Sequence, residues 1–229
     1  MSRLSKLIRS RKEHIFSMQM RLSRCFAESA TSGLNEGAAD LHYYFNVIPQ
    51  KKLIYIEVPK AGCTTMKSFL ARTIDGINLE HHDDYHDRKK SGLLAPSGIG
   101  FKPFETLLQD PELLTFTVVR SPFARLRSCY LDKVANLDIG DPKNALLARQ
   151  IFGHSKTQDR SLSFGRFVEP ACSTSASTRN GHWMPMSRIL LVRTAIPVIK
   201  LASLASGLQP VLPRLSVSSS LLLFPLIPN

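Results

Sequence analysis

The sequence predicts a single α/β domain in which a central parallel sheet is flanked by helices. Two short apolar segments rich in β-branched residues, Leu53–Val58 and Leu113–Val119, have the composition of buried strands. Each is followed by a turn and a helical pattern, and a long connection separates the two units. Such units are typical of parallel sheets, whose ligands bind beyond the carboxyl ends of the strands.

The first unit contains a turn that is suited to bind an anion. Pro59 ends the strand because it has no amide hydrogen to give to a ladder. Lys60, Ala61 and Gly62 then form the turn, and the helix opens with Cys63, Thr64 and Thr65. The first amide groups of a helix lack intrahelical partners and carry partial positive charge. Backbone amides, a lysine ammonium and two hydroxyls together predict a phosphate-binding site.

The turn is P-loop-like, but it differs from an ordinary ATP-binding loop. Its lysine precedes its one glycine, so the pattern GxxxxGK[ST] is not met. The fold prediction is therefore a single P-loop-like domain, and a small-molecule kinase is an alternative that the position of the lysine disfavours.

The second unit places basic residues at the end of the second predicted strand. Arg120 follows the strand directly, and Arg125, Arg127 and Ser128 lie in a helical pattern over 123–135. An arginine fork and a serine hydroxyl are good phosphate donors, so Arg120 and Ser128 are predicted to bind one phosphate. The alternative is that these arginines pair with carboxylates on the surface.

The chain divides into three parts by composition. Residues 1–40 are predicted to form a basic helix and a loop, and residues 41–190 the domain itself. Residues 191–229 contain no Asp, Glu, Tyr or Trp but have repeated prolines. This composition predicts an atypical tail that is frameshifted or poorly ordered, because prolines interrupt a long helix.

The charge, the cysteines and the lack of long apolar stretches limit the possible functions and location of the protein. The formal net charge of +12 favours an anionic partner such as a nucleotide or a sulfated or uronic polysaccharide. None of the four cysteines forms a CxxC pair, which argues against a zinc site. Cys63 lies in the anion-binding turn and Cys129 in an apolar helical pattern, and neither position suggests a disulfide framework. The N-terminus lacks the apolar stretch of a signal peptide, and no run of about 20 apolar residues is present. These features predict a cytoplasmic location.

Three segments, in this order, resemble the carbohydrate sulfotransferases. VPKAGCTTMKSFL is similar to that family's loop PKxGCTxxK, which binds the 5′-phosphosulfate of the donor. VVRSPFARLRSCYLDK is similar to its 3′-phosphate segment R-x-P-x-x-R-L-x-S-x-Y, and GHWMPMSR to its His-Trp-x-Pro block. The resemblance covers roughly 51–189 and points to the branch of chondroitin and dermatan sulfotransferases and their soluble bacterial relatives.

The resemblance implies sulfuryl transfer from 3′-phosphoadenylyl sulfate (PAPS) to a hydroxyl of a carbohydrate acceptor. Lys60 matches the lysine that stabilises the leaving phosphate. The residues from Ala61 and Gly62 to Cys63, Thr64 and Thr65 match the 5′-phosphosulfate loop. Arg120 and Ser128 match the pair that binds the 3′-phosphate. In-line transfer of this kind depends on positioning and fixed positive charge, and no metal is obligatory.

The acceptor hydroxyl must lose a proton, so a general base is expected. The polar segment 78–90 offers His81, His82 and His86, of which His82 and His86 are the preferred candidates. Asp83 and Asp84 are alternatives, or could orient a histidine. A solvated polar loop and a metal-binding cluster are the competing interpretations of this segment.

Two further functions remain open from the sequence. A relative that binds nucleotide or glycan without turnover is consistent with the atypical tail. A nucleic-acid-binding protein is permitted by the charge, but no recognised motif supports it.

Overall fold

The structure, a computed structural model, describes residues 43–138, 141, 144–152, 163–173, 180–186, 189 and 199–203. Within these ranges four strands form one sheet in the order β1-β2-β3-β4. The strands are β1 (Phe45–Ile48), β2 (Leu53–Ile56), β3 (Leu114–Val119) and β4 (Ile199–Ser203).

The sheet is mixed, so the predicted central parallel sheet is confirmed only in part. β2 and β3 run parallel, as do β3 and β4, whereas β1 is antiparallel to β2. β1 and β2 are joined by the short 3-10 helix Pro49–Lys51 and by Lys52, which has a left-handed backbone with φ of 47°. A connection this short permits only an antiparallel pair, because a parallel neighbour requires a long crossover.

Helices precede, connect and follow the strands. They are α1 (Cys63–Asp75), α2 (Arg88–Ser91), α3 (Pro96–Ile99), α4 (Phe101–Gln109), α5 (Pro122–Lys133), α6 (Ala145–Phe152) and α7 (Phe164–Ser173). A second 3-10 helix, His82–His86, is called the histidine turn below. α1 and α5 begin where the sequence predicts helices, and both follow the carboxyl end of a strand.

The sheet is covered on both faces, which explains why β2, at its centre, is continuously apolar. On one face Ile54 and Ile56 of β2 pack with Phe104 and Leu108 of α4. On the other face Tyr55 packs with residues of α1 that include Phe69 and Leu70, and with β3. Alternate residues of β2 therefore supply two cores. A third apolar cluster joins α5, α6, α7 and Trp183.

The segment between α1 and β3 contains more helix than the sequence indicates. Residues 91–102 have three glycines and few charges, a composition typical of a loop, but they contain α3 and the start of α4. The histidine turn and α2 lie within the segment predicted to be a polar surface loop. Tyr85 explains the ordering of that turn, because it is 1% exposed and its hydroxyl accepts a hydrogen bond from the Leu79 amide at 2.9 Å.

The predicted divisions of the chain are only partly within the described residues. Residues 1–40 lie outside them, as does most of 191–229. β4 falls within that last segment and pairs with β3. The assignment of 191–229 as a frameshifted or poorly ordered tail stays a prediction.

Candidate functional site

The turn after β2 has the backbone of an anion-binding loop. Lys60 and Gly62 both have left-handed conformations, with φ of 64° and 82°. The Ala61 amide donates to the Val58 carbonyl at 3.2 Å, and α1 then begins at Cys63. A non-glycine residue in this region costs about 1–2 kcal/mol. Strain of this kind is characteristic of functional turns, where surrounding contacts impose the conformation.

The Lys60 ammonium lies at the edge of the sheet against α5. Its Nζ is 2.8 Å from Oδ2 of Asp132, and the lysine side chain is 18% exposed. Asp132 also contacts Lys133 at 2.9 Å. Burial alone would raise the pKa of Asp132, but hydrogen bonds from both lysines lower that pKa below its ordinary value. The carboxylate therefore holds Lys60 in place when no ligand is bound.

The second predicted phosphate segment meets the first at this edge. Arg120 follows β3, and its Nη1 donates to the carbonyl oxygen of Lys60 at 3.5 Å, although the two residues are 60 positions apart. Ser128 is partly buried on α5. The parallel pairing of β2 and β3 brings Lys60 and Arg120 together, because it places the carboxyl ends of both strands side by side. Joint binding of a phosphate by Arg120 and Ser128 stays a prediction.

Arg125 has a structural role that sequence reasoning missed. It is 5% exposed, and its contacts within the described residues are with backbone oxygens rather than with a surface carboxylate, which was the alternative given for this group of arginines. Its guanidinium donates to three backbone carbonyls: Pro59 at 2.7 Å, Met184 at 2.6 Å and Gly181 at 3.1 Å. One side chain of α5 thus ties the anion-binding turn to the Gly181–Met184 segment. The five fixed donors of a guanidinium make this possible.

The histidine turn places one of the two predicted bases against the loop. His86 Nε2 is 2.8 Å from Thr64 Oγ1, and its Nδ1 is 3.1 Å from Lys67 Nζ. Burial, and then the Lys67 ammonium, lower the pKa of His86 below the ordinary value of 6.5. This shift favours the neutral form of the ring. His82 lies in the same turn with an exposed side chain, as does His81 just before it.

A buried ion pair below the turn was also missed by sequence reasoning. Glu57, directly after β2, and Lys67 of α1 are 2% and 6% exposed at their side chains, with Oε2 and Nζ 2.5 Å apart. Two features of the sequence could have indicated the pair. Glu57 lies within the apolar segment Leu53–Val58, and Lys67 lies among the apolar residues at the start of the following helix. Charged residues are seldom fully buried unless they are paired.

The Gly181–Met184 segment lines a cavity beside the anion-binding turn. The cavity has a volume of about 240 Å³ and is lined by Tyr43, Tyr44, Pro59, Asn180, Gly181 and His182. His182 Nδ1 lies 2.8 Å from Asn180 Oδ1. Burial, with the nearby Lys133 and Lys60 ammoniums, lowers the pKa of His182 to about 4. The cavity therefore offers neutral polar groups and aromatic rings next to the lysine of the turn.

The described residues contain neither a metal-binding cluster nor a membrane-spanning helix. No group of three or more His, Cys, Asp or Glu side chains there is placed to hold a metal ion. In the same ranges no helix combines the length and the apolar character needed to cross a membrane. Cys63 and Cys129 are free thiols.

Comparison with known families decides the general class. A model described as the sulfotransferase family matches residues 43–217 of the 229-residue chain. The chain belongs to the sulfotransferase family. The match begins beside β1 and extends past β4, so it includes the whole described sheet. No curated protein matches the chain. No solved structure matches it either.

Membership identifies this sulfotransferase as a transferase enzyme that moves a sulfuryl group. The family generally uses PAPS as its sulfate donor. The carbohydrate branch that the sequence resembles stays a prediction.

The contacts of Arg125 generate a stability prediction. Replacing Arg125 by Met removes three hydrogen bonds from a charged group and leaves buried carbonyls without a donor. Because one charged bond contributes roughly 1.5–3 kcal/mol, the free energy of unfolding should fall by at least about 2 kcal/mol. Urea denaturation measures it.

The matched control for Arg125→Met is Arg127→Met, which removes the same charge from an exposed position on α5. The control should change the free energy of unfolding by no more than about 0.5 kcal/mol. Equal effects of the two substitutions would contradict the structural role of Arg125.

Proposed function

We propose that this sulfotransferase transfers the sulfuryl group of PAPS to a hydroxyl of a carbohydrate acceptor by in-line displacement. The observation that carries the proposal is the contact of Arg120 with the Lys60 carbonyl. It unites the two segments that resemble the 5′-phosphosulfate and 3′-phosphate sites at one edge of the sheet. A donor that bears phosphates at both positions of its ribose fits such a pair of sites.

The turn holds the 5′-phosphosulfate in this proposal. Amides from Gly62 to Thr65 and the side chains of Cys63, Thr64 and Thr65 supply donors at the start of α1, where the helix dipole favours an anion. Ala61, whose amide is bonded to the Val58 carbonyl, has a small side chain that lets the ligand approach the backbone. Lys60 stabilises the charge that develops on the leaving phosphate. For this it must exchange its contact with Asp132 for the phosphate, and both groups are partly open to solvent.

The 3′-phosphate is assigned to Arg120 and Ser128. Arg120 lies just before α5, and Ser128 lies in the middle of that helix. Arg120 already lies at the turn, and both side chains are partly exposed, so their donors are accessible to a ligand. Charge-assisted hydrogen bonds of this type are among the strongest in proteins. They would give the enzyme a preference for nucleotides that carry a 3′-phosphate.

The carbohydrate acceptor is proposed from the resemblance and from charge. A net charge of +12 favours an anionic glycan over a neutral one. The cavity beside the turn adds aromatic rings and neutral polar groups, which suit a sugar ring. A cytoplasmic location stays a prediction from the sequence.

The donor site is tested by calorimetric titration with 3′-phosphoadenosine 5′-phosphate (PAP), the product that remains after transfer. Wild-type protein should bind it, Arg120→Ala should lose the 3′-phosphate contact, and Lys60→Ala should bind more weakly. Each loss should reach about tenfold or more, since each removes a charged hydrogen bond. Arg127→Ala is the control of equal charge.

Absence of PAP binding by the folded wild-type protein would overturn the PAPS assignment. Binding of PAP without sulfuryl transfer to any glycan tested would instead favour the alternative of a relative that binds nucleotide or glycan but is catalytically impaired. Binding and hydrolysis of ATP that depend on magnesium would favour the kinase alternative.

The general base is proposed to come from the histidine turn, as His82 or His86. Removing a general base costs about 100- to 10,000-fold in turnover. His82→Gln and His86→Gln should therefore be compared for transfer of labelled sulfur to a glycan, with PAP binding measured in parallel. The base is the residue whose loss abolishes turnover while PAP affinity is retained. If both variants retain turnover, neither is the base.

A further inference from the structure

The buried pair Glu57–Lys67 lies under the anion-binding turn. Lys67 is the last lysine of the loop pattern PKxGCTxxK, but neither residue is among the donor contacts or the bases proposed above. Glu57 Oε2 is 2.5 Å from Lys67 Nζ, and both side chains are almost completely buried. Burial of a charged lysine is costly, and a carboxylate partner offsets part of that cost. The pair therefore holds the Lys67 ammonium in a fixed position below the loop.

That ammonium determines which nitrogen of His86 carries the proton. Lys67 Nζ lies 3.1 Å from Nδ1. An ammonium has three hydrogens and no acceptor, so Nδ1 must be the acceptor in this contact. Glu57 Oε1 is 3.8 Å from the same Nδ1, beyond hydrogen-bond distance. A neutral ring with Nδ1 as its acceptor carries its hydrogen on Nε2.

The position of that hydrogen fixes the role of Thr64. With the proton on Nε2, His86 donates to Thr64 Oγ1 across the 2.8 Å contact. The hydrogen of the threonine hydroxyl is then free to point at a ligand. In the opposite tautomer Nε2 would be the acceptor. The Thr64 hydroxyl would then donate its only hydrogen to the histidine and have none left for a ligand. Only the first arrangement leaves Thr64 able to donate to an anion.

We propose that Lys67, held by Glu57, is a positioning residue that fixes the Nε2–H tautomer of His86 and so keeps Thr64 as a hydrogen-bond donor to the phosphosulfate group in the turn. The inference rests on the proposed function for its ligand. It also refines the choice of base: the ring lone pair of His86, on Nδ1, already accepts from Lys67, so His86 orients the loop and His82 remains the candidate base.

The tautomer is tested directly by long-range ¹H–¹⁵N NMR of the imidazole rings at about pH 7.5, with His86→Gln used to assign the His86 signals. The expected pattern is a protonated Nε2 and an unprotonated Nδ1. A protonated Nδ1, or a rapid mixture of both tautomers, would overturn the proposal. The measurement needs neither donor nor acceptor.

The consequence for the ligand is tested by PAP titration. Thr64→Val removes the hydroxyl and should lower PAP affinity by about tenfold or more. Lys67→Met alone would leave Glu57 buried without a partner and is expected to unfold the protein. The double variant Glu57→Gln/Lys67→Met removes both charges together, and urea denaturation verifies that it folds.

The folded double variant should lose PAP affinity by a factor similar to that of Thr64→Val. Adding Thr64→Val to it should cause no further loss, because both changes remove the same hydrogen bond. Lys90→Met, which removes an exposed lysine paired with Asp84, is the charge control and should leave PAP affinity unchanged. Wild-type affinity in the double variant, or losses that add in the triple variant, would contradict the proposal.

The proposed function and the positioning role of Lys67 would be contradicted by different results. A wild-type protein that binds no PAP would overturn the proposed function, and with it the ligand contact of Thr64, even if NMR finds the Nε2–H tautomer. The wrong tautomer in a protein that binds PAP normally would overturn only the positioning role of Lys67.

Discussion

Arg125 connects three parts of the molecule through one buried guanidinium. Arg125 lies on α5. Its guanidinium donates hydrogen bonds to the carbonyls of Pro59 in the anion-binding turn and of Gly181 and Met184 in the segment beside the cavity. Because a guanidinium is planar and its donors are fixed, these carbonyls must keep a defined arrangement. The turn, the helix that follows β3 and the cavity wall are thereby held in one geometry before any ligand arrives.

The charged groups around the turn differ in how deeply they are buried and in what they contact. Below it, Glu57 compensates Lys67, so that ammonium contributes orientation more than net positive charge. Beside it, Lys60 is paired with an exposed aspartate, and Arg120 touches only a backbone oxygen among the contacts described. Ion pairs near solvent are weak, so an incoming phosphate can replace Asp132 at small cost. The buried charges thus build the site, and the exposed ones are available for the ligand.

Local patterns predicted much of this. The apolar runs of β2 and β3, and the turn and helix starts at Cys63 and Pro122, follow from composition and from proline and glycine placement. The antiparallel edge strand β1 and the buried contacts of Arg125, Glu57 and Lys67 did not follow. A charged residue looks the same in a sequence whether it faces solvent or a buried partner. Its partner, 10 to 66 positions away here, is set only by the tertiary fold.

The central claim is that the site recognises a nucleotide by phosphates at both its 5′ and 3′ positions. The most direct test compares the affinities of the wild-type protein for PAP, for 5′-AMP, which lacks the 3′-phosphate, and for ATP with magnesium. PAP should bind tightest, by about tenfold or more over 5′-AMP, since the contacts of Arg120 and Ser128 are lost in 5′-AMP. Equal affinity for PAP and 5′-AMP, or a preference for ATP with magnesium, would contradict it.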